Sequence, residues 1–171
     1  MTAHGPGQGR SQAEVQAALG FELPPVAAPL ASYQPAVAAG GWIFTAGQLP
    51  VVRGELTVSG RVGAVAVPVA EAATAARTCA LNALAAAFAA VPIGTRLRLV
   101  KVVVFVAAEE GFSQHAVVAD GASSLFQAAL GADGMHARSA VGAASLPKGS
   151  AVELEAVFLV AGADPDGALA P

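Results

Sequence analysis

An α+β domain, a mixed sheet with two long helices packed on one face, is predicted by three features of the sequence. The pattern of apolar residues runs strands, helix, strand, helix, strands along the chain. The stretch LRLVKVVVFVA, residues 97–107, is valine-rich and nearly all apolar, which marks a central strand. Two segments of helical spacing, 69–91 and 113–130, supply enough helix to cover one face of a sheet. With 171 residues, 55% of them hydrophobic, the chain supports one full core and a single domain.

The elements follow in order. Residues 1–10 are small and polar and are expected to be disordered, as is the tail 163–171, leaving a domain over 11–162. Ser11 before QAEVQAALG reads as an N-cap, with Glu14 placed for a capping box and Gly20 as the stop. Pro24, Pro25 and Pro29 force an extended segment. A strand pair follows over 35–39 and 42–48 across Gly40-Gly41, and 54–60 is a short third strand or hairpin return. The long helix at 69–91 carries Leu81, Leu84, Phe88 and Val91 at steps of three and four, a stripe for a core. The second helix has Ser113 as its expected cap and Gly131 at its end. Two strands close the domain, 136–144 and 150–160, joined through Leu146-Pro147-Lys148-Gly149. In the last strand Val152, Leu154, Ala156 and Phe158 share one face, and Glu153, Glu155, Val157 and Leu159 the other. Apolar residues on the face without helices predict that another subunit covers it.

Composition excludes several functions. The formal charge is −3 and the nine basic residues are scattered, whereas a nucleic-acid binder concentrates them, so nucleic acid is disfavoured as a partner. Cys79 is alone, which rules out an internal disulfide or a cysteine metal cluster, and among alanines it reads as an inert buried thiol. His4, His115 and His136 are dispersed without metal-ligand spacing, so no metal is expected. The uncharged run TCALNALAAAFAAVPIGT is mostly alanine and is ended by Pro92 and Gly94, so no membrane span is expected. The start of the chain lacks the apolar core of a secretory signal, and a cytoplasmic location is the expectation.

What remains is Arg138, a lone guanidinium at the start of an apolar strand with Ala140 and Gly142 on its own face. It reads either as a surface cation paired with a carboxylate or as a bidentate anchor for the carboxylate of a small substrate. Glu153 and Glu155 are the wet face of a sheet or, if that face is covered, include one carboxylate of raised pKa that handles protons through a water.

The sequence resembles the RidA family, also called YjgF, the reactive-intermediate deaminases, over roughly residues 19–161. The matching pieces are SYQPAV at 32–37, IFTAGQLP at 43–50, RTCALNALAA at 77–86, VKVVVFVA at 100–107, and HARSAVGAASLP with VELEAVF across 136–158. ADGASSLF at 119–126 running into HARSAVG is similar to the longer RidA-like subgroup. The resemblance implies a chorismate-mutase-like fold, a homotrimer with ligand clefts between subunits, and no cofactor. It also implies hydrolysis of enamine and imine intermediates such as 2-aminoacrylate to a 2-keto acid and ammonia. By position, Arg138 would hold the substrate carboxylate and the backbone at Ala140 would help place the attacking water. Glu153 would orient or deprotonate that water, Ala46 and Gly47 would shape the pocket, and Tyr33 would close one side. Ala119 falls where deaminating members carry an asparagine, with Asp120 next to it. The alternative function is a non-catalytic trimer that binds a small carboxylate or regulates an enzyme. Ribonuclease activity, attached to the family at large, fits the acidic balance least.

Overall fold

The computed structural model describes residues 7–29, 31–63 and 66–162. The expected disorder at residues 1–6 and 163–171 lies outside the described residues, and so does His4. Helix α1 spans Gln12–Leu19; strands β1 and β2 are Ala36–Ala39 and Trp42–Thr45; β3 and β4 are Val51–Val52 and Glu55–Leu56. Then come α2, Val69–Ala89; β5, Leu97–Ala107; α3, His115–Leu130; β6, Ala137–Ala143; and β7, Val152–Val160.

Five strands form one sheet in the order β1-β2-β7-β5-β6, and β3 and β4 form a separate hairpin. Strand β5 is central, flanked by antiparallel β7 and parallel β6. A parallel neighbour needs a crossover, and α3 is that crossover, which places it on the same face as α2. Strands β6 and β7 are consecutive in sequence but not adjacent in the sheet, because β5 lies between them.

Alternation divides the two faces. Val102, Val104 and Val106 of β5 with Val152, Leu154 and Ala156 of β7 are buried beneath the helices, together with Ile43, Phe158, Leu84 and Phe126. The opposite face exposes Val37, Phe44 and Val141. Alanine dominates α2 because α3 approaches it closely. A Cβ added at Gly121 of α3 would strike the carbonyl oxygen of Ala73 in α2. Gly121→Ala is therefore expected to force the helices apart and destabilise the fold by ~1–3 kcal/mol, read as a lower urea midpoint.

Local details match the sequence signals in most places. The Ser11 amide donates to Glu14 Oε2 at 2.8 Å and Glu14 N–H to Ser11 Oγ at 3.4 Å, so the capping box is present, and Gly20 adopts φ 79°. These contacts hold the Glu14 carboxyl down to about 2, with Ser11 backbone hydrogen bonding the largest cause. Cys79 is fully buried and burial pushes its thiol well above 9, with the Glu153 charge adding, which keeps it unreactive.

Two expectations change. Residues 7–10, placed with the disordered start, are tied to the domain: the Gly7 and Gly9 amides donate to the buried Asp133 carboxylate at 2.7 and 3.0 Å, and Arg10 exchanges backbone bonds with Leu97 at 3.0 and 2.9 Å. Ser113 does not cap α3. The helix begins one residue later than such a cap would set it, with the Gln114 carbonyl accepting from Val117 and Val118 N–H and no side chain closing the turn.

Candidate functional site

The loop from Ala46 to Val51 leaves the sheet at the end of β2 and is pinned from two sides. Gln48 exchanges backbone bonds with Leu154 of β7 at 2.7 and 3.0 Å, and its buried side chain donates to the Ala46 carbonyl at 3.2 Å. From α2, buried Asn82 donates to the carbonyls of Leu49 and Val51 at 2.9 and 3.0 Å. Neither residue was singled out from the sequence. The signal for Asn82 was present: it is the one amide in an alanine run, and a buried amide needs partners.

Outside this loop lies a pocket of about 440 Å³. Gly47, Glu153 and Tyr33 line it, so three of the six nominated residues meet there, and the proline segment Pro24–Pro29 forms an apolar wall. Gly47 is required by close approach: a Cβ at that position would fall on the Glu153 carboxylate. Glu153 lies on the open face of β7, half-buried, and burial raises its pKa above the usual carboxylate value of 4.5, with the neighbouring Glu155 charge adding. Ala46 is next to the wall, with its amide donating to Pro35 O at 2.9 Å, rather than in it.

Arg138 and Ala140 are elsewhere. Arg138 pairs with Val102 and, across it, Ala156, so it projects on the helix side of the sheet at the free edge of β6. Glu153 pairs with Phe105 on the opposite side. Within one chain the arginine and the glutamate therefore do not share a cavity, contrary to what a single-chain site would need.

The guanidinium is organised by α3. Its Nη1 donates to Asp120 Oδ1 at 2.8 Å and to Ser123 Oγ at 3.0 Å, while Nη2 makes a long contact with Ala116 O at 3.4 Å. Ser123 is held in turn by His136, whose Nε2 lies 3.1 Å from Oγ. His136 Nδ1 is 2.7 Å from Gly134 O, and since a carbonyl only accepts, that nitrogen carries the proton. Burial lowers the His136 pKa, with the Arg138 charge contributing in the same direction and the Gly134 hydrogen bond opposing. The neutral ring then accepts the Ser123 hydroxyl proton and turns the serine lone pairs toward Arg138. Both Nη1 donors are thus occupied, whereas Nε makes no hydrogen bond to any described residue, so the Nε edge of the fork remains available for an anion.

Asp120, not Ala119, is the acidic α3 residue beside the arginine: Ala119 is fully buried in the core. The Asp120 side chain is 65% exposed, so its carboxylate competes with an incoming anion without sealing the site. Asp120→Asn keeps a hydrogen-bond acceptor and removes the charge. We expect it to tighten pyruvate binding by about 2- to 5-fold in calorimetry, the scale of an exposed ion pair. His115 packs edge-on against Phe112 at 4.9 Å, with its Nε2 beside Gly142, and forms no hydrogen bond or ion pair with Glu153 or Arg138. Among the described residues no group of three His, Cys, Asp or Glu could hold a metal ion, and no helix is long and apolar enough to cross a membrane.

The model of the family described as "YjgF/chorismate_mutase-like, putative endoribonuclease" matches residues 13–162. Protein TCP17 of Trypanosoma cruzi is 40% identical over 151 residues, covering 87% of this chain and 93% of that one. Among solved structures, Atu1372 from Agrobacterium tumefaciens is 39% identical with a TM-score of 0.74, covering 87% of this chain and 91% of that one. TdcF of E. coli, solved with bound serine, is 25% identical with a TM-score of 0.56, covering 78% and 92%.

Proposed function

We propose, from the premise that this chain belongs to the YjgF/chorismate-mutase-like family, that it hydrolyses reactive enamines and imines of the 2-aminoacrylate kind to 2-keto acids and ammonia. The observation that carries this reading is Glu153: a half-buried carboxylate of raised proton affinity on the wall of a pocket, with Gly47 making the room it occupies. A carboxylate so placed suits a general base that works through water.

In the proposed reaction Glu153 takes a proton from water as its oxygen adds to C2 of the imine. Glu153 returns that proton to the nitrogen, giving the carbinolamine; it then carries the carbinolamine hydroxyl proton to the nitrogen as the C–N bond breaks, so ammonia leaves and a C=O remains. An imine is already electrophilic, so orientation and a poised water are what the protein must supply. The substrate carboxylate is held by the open edge of Arg138. Because Arg138 and Glu153 lie on opposite faces of one sheet, a second copy must bring its β6 edge to the mouth of the first copy's pocket. The exposed Val37, Phe44 and Val141 support such an assembly, a homotrimer in our reading. Backbone near Ala140 would then border the cleft beside its own Arg138. Serine bound to the related TdcF supports a small carboxylate as ligand.

The reading is tested by generating imines with an amino-acid oxidase and trapping them with semicarbazide. Added protein should suppress semicarbazone formation in proportion to its concentration, and no suppression would overturn deamination. A second reading, a non-catalytic carboxylate-binding trimer, is favoured by one observation, the Asp120 carboxylate already paired with Arg138. Saturable pyruvate binding with no effect on trapping would select it.

A further inference from the structure

The same pocket carries two cations that the proposed reaction does not use. Arg53 lies in the two-residue turn between β3 and β4, and Lys148 in the turn that leads into β7, and both side chains line the pocket with Glu153. Both are exposed, and neither side chain forms a hydrogen bond or ion pair with any described residue; the same holds for the exposed Arg77 and Arg98, but those two do not line the pocket. The charged groups of the lining are therefore two unpartnered cations and one acid of raised proton affinity.

The backbone singles out the same pair. Among the described residues, Arg53 and Lys148 are the non-glycine residues with positive φ, 53° and 55°. Each precedes a glycine that is also left-handed, Gly54 at 89° and Gly149 at 70°. Glycine or asparagine would hold either first position with less strain, so a long cation there is kept against conformational preference, and such outliers gather at ligand sites. Size points the same way. About 440 Å³ lies in the range of sites for whole small molecules, roughly 300–1,000 Å³, and leaves room beyond a three-carbon acid.

We propose that Arg53 and Lys148 recognise a second acidic group on the ligand, so that the pocket takes 2-imino and 2-oxo dicarboxylates in preference to monocarboxylates. The inference rests on the reading of this pocket as an imino-acid site and names its substrate class. The α-carboxylate and the distal carboxylate are then held by different cations, with the apolar Pro24–Pro29 wall against the carbon chain between them.

Calorimetry on the full chain with 2-oxoglutarate and 2-oxobutanoate separates the outcomes, using Arg53→Asn with Lys148→Asn because asparagine tolerates the left-handed backbone. Wild type should bind 2-oxoglutarate about tenfold more tightly, a gap that narrows with added salt and closes in the double variant while 2-oxobutanoate binding is unchanged. Equal affinities in wild type, or a preference that survives in the double variant, would overturn the inference and leave the deaminase reading standing. Binding of neither keto acid would overturn both.

Discussion

Arg138→Ala is expected to lower kcat/KM for imine hydrolysis by roughly 30- to 1,000-fold, the equivalent of ~2–4 kcal/mol for a charge-assisted pair lost from a cleft that a second copy closes over. The fold should barely notice. The Arg138–Asp120 ion pair is one between partly exposed side chains, 23% and 65% accessible, and such pairs contribute about 0–1 kcal/mol to stability. Arg138→Lys is the sharper variant. A lysine keeps the charge but offers a point donor in place of the planar fork, so it cannot contact Asp120 and Ser123 while presenting a second edge to a substrate. Lysine is therefore expected to recover less than a tenth of the lost rate, measured in the same trapping assay. Near-wild-type turnover in Arg138→Ala would remove the arginine from the mechanism and leave the carboxylate to Arg53 and Lys148.

Much of the fold was legible because it is written in period and punctuation. The valine run of β5 matches the expected 97–107 span, and Gly40-Gly41 and Gly131 fall where the chain turns or stops. Alternation along β7 separated the buried Val152, Leu154 and Phe158 from Glu153 and Glu155. What one strand's alternation cannot give is which strands become neighbours. Arg138 and Glu153 are only 15 residues apart in sequence, yet β5 inserts between their strands and register turns them to opposite faces. The same limit hid the support around the arginine. Ser123 and Asp120 reach Arg138 because the α3 crossover lays them over β6, a tertiary fact with no local sequence mark. The pairing Gly47 with Glu153 came only through family resemblance; its physical cause, a Cβ that would collide with the carboxylate, needs coordinates.

Glu153→Gln should cut kcat by ~10²–10⁴, the range for loss of a positioned general base, while leaving keto-acid binding within a few-fold of wild type. The pH dependence identifies the group. Burial, and then the Glu155 charge, raise the Glu153 pKa from 4.5, so the acid limb of the wild-type kcat/KM profile should lie at higher pH than an unperturbed glutamate would give. Glu155→Gln removes the second cause and should move that limb to lower pH; Glu153→Gln should abolish it. Stability runs the other way. A carboxyl whose folded pKa is raised binds its proton more tightly in the native state than in the unfolded chain. Its contribution is thus most favourable below the unfolded value and is lost as pH rises through the folded one. At pH 7 the charged Glu153 opposes folding, so Glu153→Gln should raise Tm there and the gain should vanish as pH falls below about 4. A variant that gains thermal stability at neutral pH while losing turnover marks a carboxylate kept for chemistry. A Tm that falls instead would mark Glu153 as part of the scaffold, and the proposed base would have to be sought elsewhere.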